Sequence, residues 1–163
     1  MIGSAEATRR LPPLRAKSLD GEVVVIPDEL DGDVRILIVA FQRRQQELVD
    51  GWLAGITAAA PVTPRLAVYE VPTIHRRFVP ARALIDGGMA RAVSDRFVRR
   101  RTLTLYSNVD AVRDALGISS TRTVAVLVID EHGVVRWSTQ GPFRAAAAET
   151  LVQVVRELLD SDE

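Results

Sequence analysis

A chain of 163 residues and 17.9 kDa fits one domain, and 47% apolar residues are enough to bury a sizeable core. Its 21 basic and 21 acidic residues cancel, which argues against a wholly basic nucleic-acid binder. The lack of cysteine excludes disulfides, thiolate nucleophiles, iron–sulfur clusters and Cys-based zinc sites, and two histidines, His75 and His132, supply little for a metal or a His-based triad.

Residues 1–13 read as a flexible tail ending in Pro12-Pro13, with no apolar core of signal-peptide length. Residues 14–163 read as one domain. Asp20-Gly21 marks a turn, and Val23 to Ile26 is a short β-branched strand ended by Pro27. After a second turn at Asp31-Gly32-Asp33, Val34 to Phe41 is an almost unbroken apolar run. Such a run suits a strand buried on both faces. It is far too short to cross a bilayer. Val49, Trp52, Leu53 and Ile56 then recur at helical spacing, and the helix stops near Ala60-Pro61. Arg65 to Val71 is a strand closed by Pro72. Ile85, Met89, Val93 and Phe97 are spaced by four, with Gly87-Gly88 inside the pattern. The spacing predicts a short helix, a turn and a second helix ending near Arg99.

Thr102 to Tyr106 alternates and reads as a strand. Ser107 and Asp110 resemble a capping box for a helix over Val109 to Leu116, with Gly117 as its stop. Val124 to Ile129 is the second strongly apolar strand. Asp130-Glu131-His132-Gly133 is a hairpin turn, and Val134 to Ser138 returns. Gly141-Pro142 opens the last helix, whose face is Leu151, Val154, Val155, Leu158 and Leu159. Helices alternate with buried strands and a hairpin plus helix closes the chain. That order predicts an α/β three-layer sandwich with a mixed sheet.

Three segments carry a resemblance to the thioredoxin-like superfamily in its peroxiredoxin and TlpA-like branch. SLDGEVVVIPDELDGDVRILIVAF looks like its leading hairpin and first central strand. TVAVLVIDEHGVVRW looks like its late hairpin, and GPFRAAAAETLVQVVREL like its C-terminal helix. The resemblance implies an α/β/α thioredoxin-like fold with an N-terminal β-hairpin extension. FVPARALIDGGMARAVSD, RRRTLTLYSN and VVRWSTQG are also similar to the mitochondrial F0F1 ATP synthase assembly factor family and related bacterial proteins. That likeness implies chaperone-like assembly rather than a defined reaction.

The departures from the redox pattern are specific. Redox members place Cys-x-x-Cys or one peroxidatic Cys after the first central strand, where this chain has Gln42-Arg43-Arg44-Gln45-Gln46. Nothing there can form a thiolate. They also carry a cis-proline before the late hairpin, where this chain has Ser120-Thr121-Arg122-Thr123. A cis bond without proline costs roughly 2.5–4 kcal/mol, so these bonds are expected trans.

Two loops are therefore the candidate ligand-binding site: Gln42, Arg43, Arg44, Gln45 and Gln46, facing Thr121, Arg122 and Thr123. A helix start with two arginines suits a carboxylate or phosphate. The alternative is that both arginines are solvated or paired with Glu47 and Asp50. His75-Arg76-Arg77 and Arg99-Arg100-Arg101 are two further basic clusters, either a patch for an acidic partner or solvated helix ends. Arg136 and Trp137 form a possible interaction surface, with Trp137 otherwise at the core or its edge. Trp52 belongs to the core.

The expected function is a redox-inactive thioredoxin-like binding or assembly protein that contacts a protein or an anionic ligand through the 42–46 loop. It is not a thiol oxidoreductase or peroxidase. No catalytic residue, metal site or cofactor is assigned, and poor aromatic interleaving disfavours nucleic acid. A non-redox enzyme using Arg43, Arg44 and the Thr121 hydroxyl, or a structural or oligomeric subunit, are the alternatives. The expected location is cytoplasmic, without membrane insertion.

Overall fold

The computed structural model describes residues 9–74, 100–107 and 109–161. The helices predicted between residues 75 and 99, with Gly87-Gly88, lie outside these, as does the cluster His75-Arg76-Arg77.

Among the described residues eight strands form one mixed sheet: β1 (Arg9–Arg10), β2 (Leu14–Ser18), β3 (Val23–Ile26), β4 (Val34–Ala40), β5 (Leu66–Ile74), β6 (Leu103–Tyr106), β7 (Ala125–Ile129) and β8 (Val134–Gln140). Their order across the sheet is β1-β8-β7-β4-β5-β6-β2-β3. The centre pairs β4 with β5 in parallel and β4 with β7 antiparallel. Both neighbours and both faces bury β4, which is why it reads as a continuous apolar run. Among the described residues three α-helices accompany the sheet in full: α1 (Gln46–Ala59), α2 (Val109–Leu116) and α3 (Ala145–Ser161).

Alternation along the strands makes two cores. Leu37, Val39, Leu127 and Ile129 face α2, which adds Val112 and Leu116. Ile36, Ile38, Val126 and Val128 face α1 and α3, which add Val49, Trp52, Ile56, Leu151 and Val155. The result is the expected α/β/α sandwich. Strands β2 and β3 form the N-terminal hairpin, with Leu14 opposite Ile26, and β2 joins the sheet at β6.

The loop after β8 is latched onto α1. The Trp52 Nε1–H donates to the Gly141 carbonyl at 2.9 Å. Phe143 meets the Trp52 ring edge-on at 5.4 Å between centroids. Gly55 makes room for this ring, since a Cβ there would lie 2.0 Å from Phe143 Cε1.

Several expectations need correction. Within the segment read as a tail, Arg9 and Arg10 pair with Val135 and Val134 as a strand, and Leu11 is buried. Leu14–Ser18 is a strand that its composition hid. It alternates inward Leu14, Ala16 and Ser18 with outward Arg15 and Lys17, using small residues in place of β-branched ones. Pro72 does not close β5, which runs on to Ile74. The Glu70 N–H donates to the Arg101 carbonyl, so two residues on it is the β6 side that lacks a donor, and pairing with β6 resumes at Thr73. The one cis peptide among the described residues is Ile26–Pro27, so residues 120–123 are trans as expected.

Candidate functional site

Strand β4 ends at Ala40, and Phe41 turns back into the core. Gln42 is extended (φ −143°, ψ 143°), then Arg43–Gln45 make a single 3₁₀ turn leading into α1. Tight turns of this kind leave backbone N–H groups without helical partners. Gln45 supplies them. The residue is 2% exposed, and its Oε1 accepts the Phe41 N–H at 2.8 Å and the Gln42 N–H at 3.3 Å.

The other end of the same amide reaches across the site. Gln45 Nε2 donates to the Thr121 carbonyl at 3.0 Å, and Gln42 Nε2 donates to that same oxygen at 3.2 Å. The two glutamines stand three residues apart in the loop that, by the resemblance, takes the place of Cys-x-x-Cys. Here two amides are bridged through one carbonyl from the facing loop. Arg44 Nε donates to Gln42 Oε1, so the arginine is oriented by the same bridge.

The facing loop is held from a third side. Gly117, at φ +71°, ends α2, a left-handed conformation that suits glycine. Gln140 of β8 accepts from the Ser119 N–H at 3.0 Å and its hydroxyl at 2.6 Å, and donates to the Ser120 carbonyl at 2.9 Å. The Arg122 N–H donates to Ser120 Oγ at 3.1 Å.

Thus the structure brings Gln42, Arg44, Gln45 and Thr121 together. Arg43, Arg44 and Arg122 are exposed, while Thr121 and Thr123 are half-buried. Among the described residues, none of the three arginines has an ion pair, so the expected alternative pairing with Glu47 and Asp50 is not formed. Gln46 does not join the group: its Nε2 donates to Asp50 Oδ1 at 2.9 Å along α1. Of the possible interaction surface, Arg136 is exposed and Trp137 is half-buried. Arg136 Nε donates to Asp130 Oδ2 at 2.9 Å, and Trp137 packs against the α1–α3 core.

At the opposite end of β4, sequence reading missed a second polar cluster. Arg35 is 5% exposed and donates only to carbonyls: Nε to Gly32 at 2.6 Å, Nη1 to Asp130 and Nη2 to Leu30, each at 3.1 Å. Asp130 organises the β7–β8 turn, its Oδ1 accepting the His132 and Val134 N–H groups at 2.9 and 3.0 Å. Burial pushes its carboxyl up, but the Val134 N–H, Arg136 and the His132 N–H outweigh it and hold the group below its ordinary value. Burial also pushes the Tyr69 phenol up, although its oxygen accepts the Asp31 N–H at 2.8 Å. The signal for Arg35 was its position as the one charge in the run Val34 to Phe41.

The second missed residue is Glu70, in the middle of β5. It lies on the α1 side, against a cavity of about 480 Å³ bounded by Leu53, Ile56, Leu66 and Val68. Its carboxyl has no hydrogen bond or ion pair among the described residues. Burial, then the like charge of Asp50, push it above its ordinary value. No group of three metal-ligating side chains occurs among the described residues, and none of their helices is long and apolar enough to cross a membrane.

No protein-family model matches the sequence, and a comparison with curated proteins gives no match. Solved structures do match. The pneumococcal exposed lipoprotein thioredoxin of Streptococcus pneumoniae superposes with a TM-score of 0.60 at 13% identity, covering 90% of this chain and 99% of that one. A DsbF homologue from Corynebacterium diphtheriae gives 0.61 at 12%, covering 96% and 91%. BsSco, of the Sco family of cytochrome c oxidase assembly proteins, gives 0.60 at 13%, covering 93% and 94%, and a disulfide switch is described in it. Identity this low speaks for architecture and not for activity. The chain has the thioredoxin-like fold of these proteins, with glutamines and no cysteine at the end of its first central strand.

Proposed function

We propose that this chain is a redox-inactive thioredoxin-like binding or assembly protein. It contacts a protein partner or an anionic ligand through Gln42–Gln46 and the facing Thr121–Thr123. One observation carries the reading: Gln42 and Gln45 both donate to the Thr121 carbonyl. That bridge fixes the loop and leaves Arg43, Arg44 and Arg122 exposed on two joined segments. Arginines held in place recognise carboxylate or phosphate at lower ordering cost than free ones.

An assembly role is in keeping with the Sco neighbour, itself of an assembly family, whereas the resemblance to the ATP synthase assembly factors has no matching family model or curated relative behind it. A cytoplasmic location goes with this reading. Cell fractionation decides it, since one structural neighbour is an exposed lipoprotein.

The test is a pull-down from native cell extract with wild type and an Arg43→Glu/Arg44→Glu variant, with thermal unfolding as the control for folding. Wild type is expected to retain a partner that the folded variant loses. In parallel, phosphate, sulfate and small carboxylates are screened by thermal shift. A ligand at about 100 times its Kd stabilises by about 2.7 kcal/mol. The reading is wrong if the reversed charges leave the captured set unchanged and no anion shifts the melting temperature.

A further inference from the structure

We propose that the groove between α1 and β5 binds a small apolar amine, its hydrocarbon against Leu53, Ile56, Leu66 and Val68 and its ammonium against the Glu70 carboxylate. The site is separate from the arginine loop. The loop precedes α1, whereas the groove lies along the helix's C-terminal half and shares no residue with it.

The cavity of about 480 Å³ lies within the range of small-molecule sites, and its walls are chiefly hydrocarbon. Among the described residues Glu70 is the only acidic side chain lining it. A half-buried carboxylate is disfavoured unless a donor or a cation meets it. Among the described residues Glu70 meets neither. Its neighbouring charge, Asp50, is of the same sign and adds to the burden. Arg101 also lines the groove, but its guanidinium carbon stands 4.9 Å from the Tyr69 ring centroid. It does not figure among the influences on Glu70.

These facts select the ligand class. A metal ion needs several ligating groups, and Glu70 belongs to no such cluster among the described residues. An anion would meet the Glu70 carboxylate as a like charge, with the nearby charge of Asp50 adding to the repulsion. A neutral hydrocarbon would fill the walls and leave the carboxylate unmet. An ammonium on a hydrocarbon body satisfies both, donating to Glu70 while its apolar part displaces water.

The experiment uses three probes of one shape: 4-phenylbutylamine, 4-phenylbutanol and 4-phenylbutyrate. Each is titrated into the full chain and followed by heteronuclear NMR. The amine is expected to shift Leu53, Ile56, Leu66 and Val68 and to bind at least tenfold more tightly than the alcohol, with the carboxylate weakest. In Glu70→Gln the amine and the alcohol should come within about twofold of each other. Leu53→Lys, which places an ammonium in the groove itself, should abolish amine binding and covers the case in which the first variant does not fold. The proposal fails if the alcohol binds wild type as tightly as the amine. It fails equally if Glu70→Gln keeps the preference, or if millimolar amine leaves the four groove residues unshifted.

Discussion

Two charged side chains interrupt the central strands β4 and β5, and the regions around them treat charge in opposite ways. Arg35 in β4 is almost fully buried, and each of its donor nitrogens meets a different carbonyl: Leu30 and Gly32 of the β3–β4 loop, and Asp130 of the β7–β8 turn. Glu70 in the parallel neighbour β5 is only half-buried, yet its carboxyl has no partner among the described residues. The depth of burial therefore does not decide whether a charge is accommodated. The supply of complementary groups does. The region around Arg35 ties the β3–β4 loop to the β7–β8 turn. The groove around Glu70 is left electrostatically incomplete, which is how a structural charge differs from one available to a ligand.

The most severe way to break this contrast is to remove Arg35. Arg35→Met keeps the volume and deletes every donor, leaving three carbonyls of two segments unmet. Each buried unsatisfied group costs roughly 1–3 kcal/mol, so the variant should lose about 3 kcal/mol. The urea midpoint measures this. A loss under about 1 kcal/mol would mean that water replaces the guanidinium and that the region is not tied by it.

Gln45 gives the next largest effect, because it sits in a second fully paired region. Gln45→Glu keeps an acceptor for the Phe41 and Gln42 N–H groups but removes the donor to Thr121 and buries a charge. The expected cost is about 2 kcal/mol at neutral pH. Amide exchange should accelerate at Phe41 far less than under Gln45→Ala, which removes the acceptor too. Equal acceleration in both would show that Gln45 does not hold the turn through its oxygen.

Why the sequence announces one region and conceals the others follows from the same physics. Strands β4 and β7 are legible because burial on both faces demands continuous apolar residues. The 130–133 turn is legible because Asp and Gly do different jobs in it: Asp130 collects N–H groups, and Gly133 takes φ +80° with Pro27 packed against it. The position of the 42–46 loop follows from strand order. The inward turn of Gln45 does not, because a glutamine reads as a surface residue until its backbone partners are known. Gln46, one residue on, is exposed. Arg35 and Glu70 are concealed for a different reason. A run of apolar residues sets the period, and a single charge within it is passed over as noise. Whether that charge is met depends on loops more than thirty residues away, such as the one that brings the Asp130 carbonyl to Arg35.

The smallest effect separates the two regions by sign. The Glu70 carboxyl is held above its ordinary value, so the folded chain keeps that proton to a higher pH than the unfolded chain does. Stability from this group is complete below the unfolded value and falls as pH rises through the folded one. Asp130 is held below its ordinary value, so its contribution is present above the unfolded value and is lost as pH falls through the folded one. On acidification from neutrality the wild type should therefore gain slightly as Glu70 takes up its proton, then lose as Asp130 does. Glu70→Gln should remove the early gain and keep the later loss, whereas Asp130→Asn should weaken the later loss and keep the gain. Denaturant midpoints at half-unit steps between pH 3 and pH 7 give both curves. If Glu70→Gln leaves the upper half of the curve unaltered, the carboxylate is met by a partner in solution. The groove then resembles the Arg35 region after all.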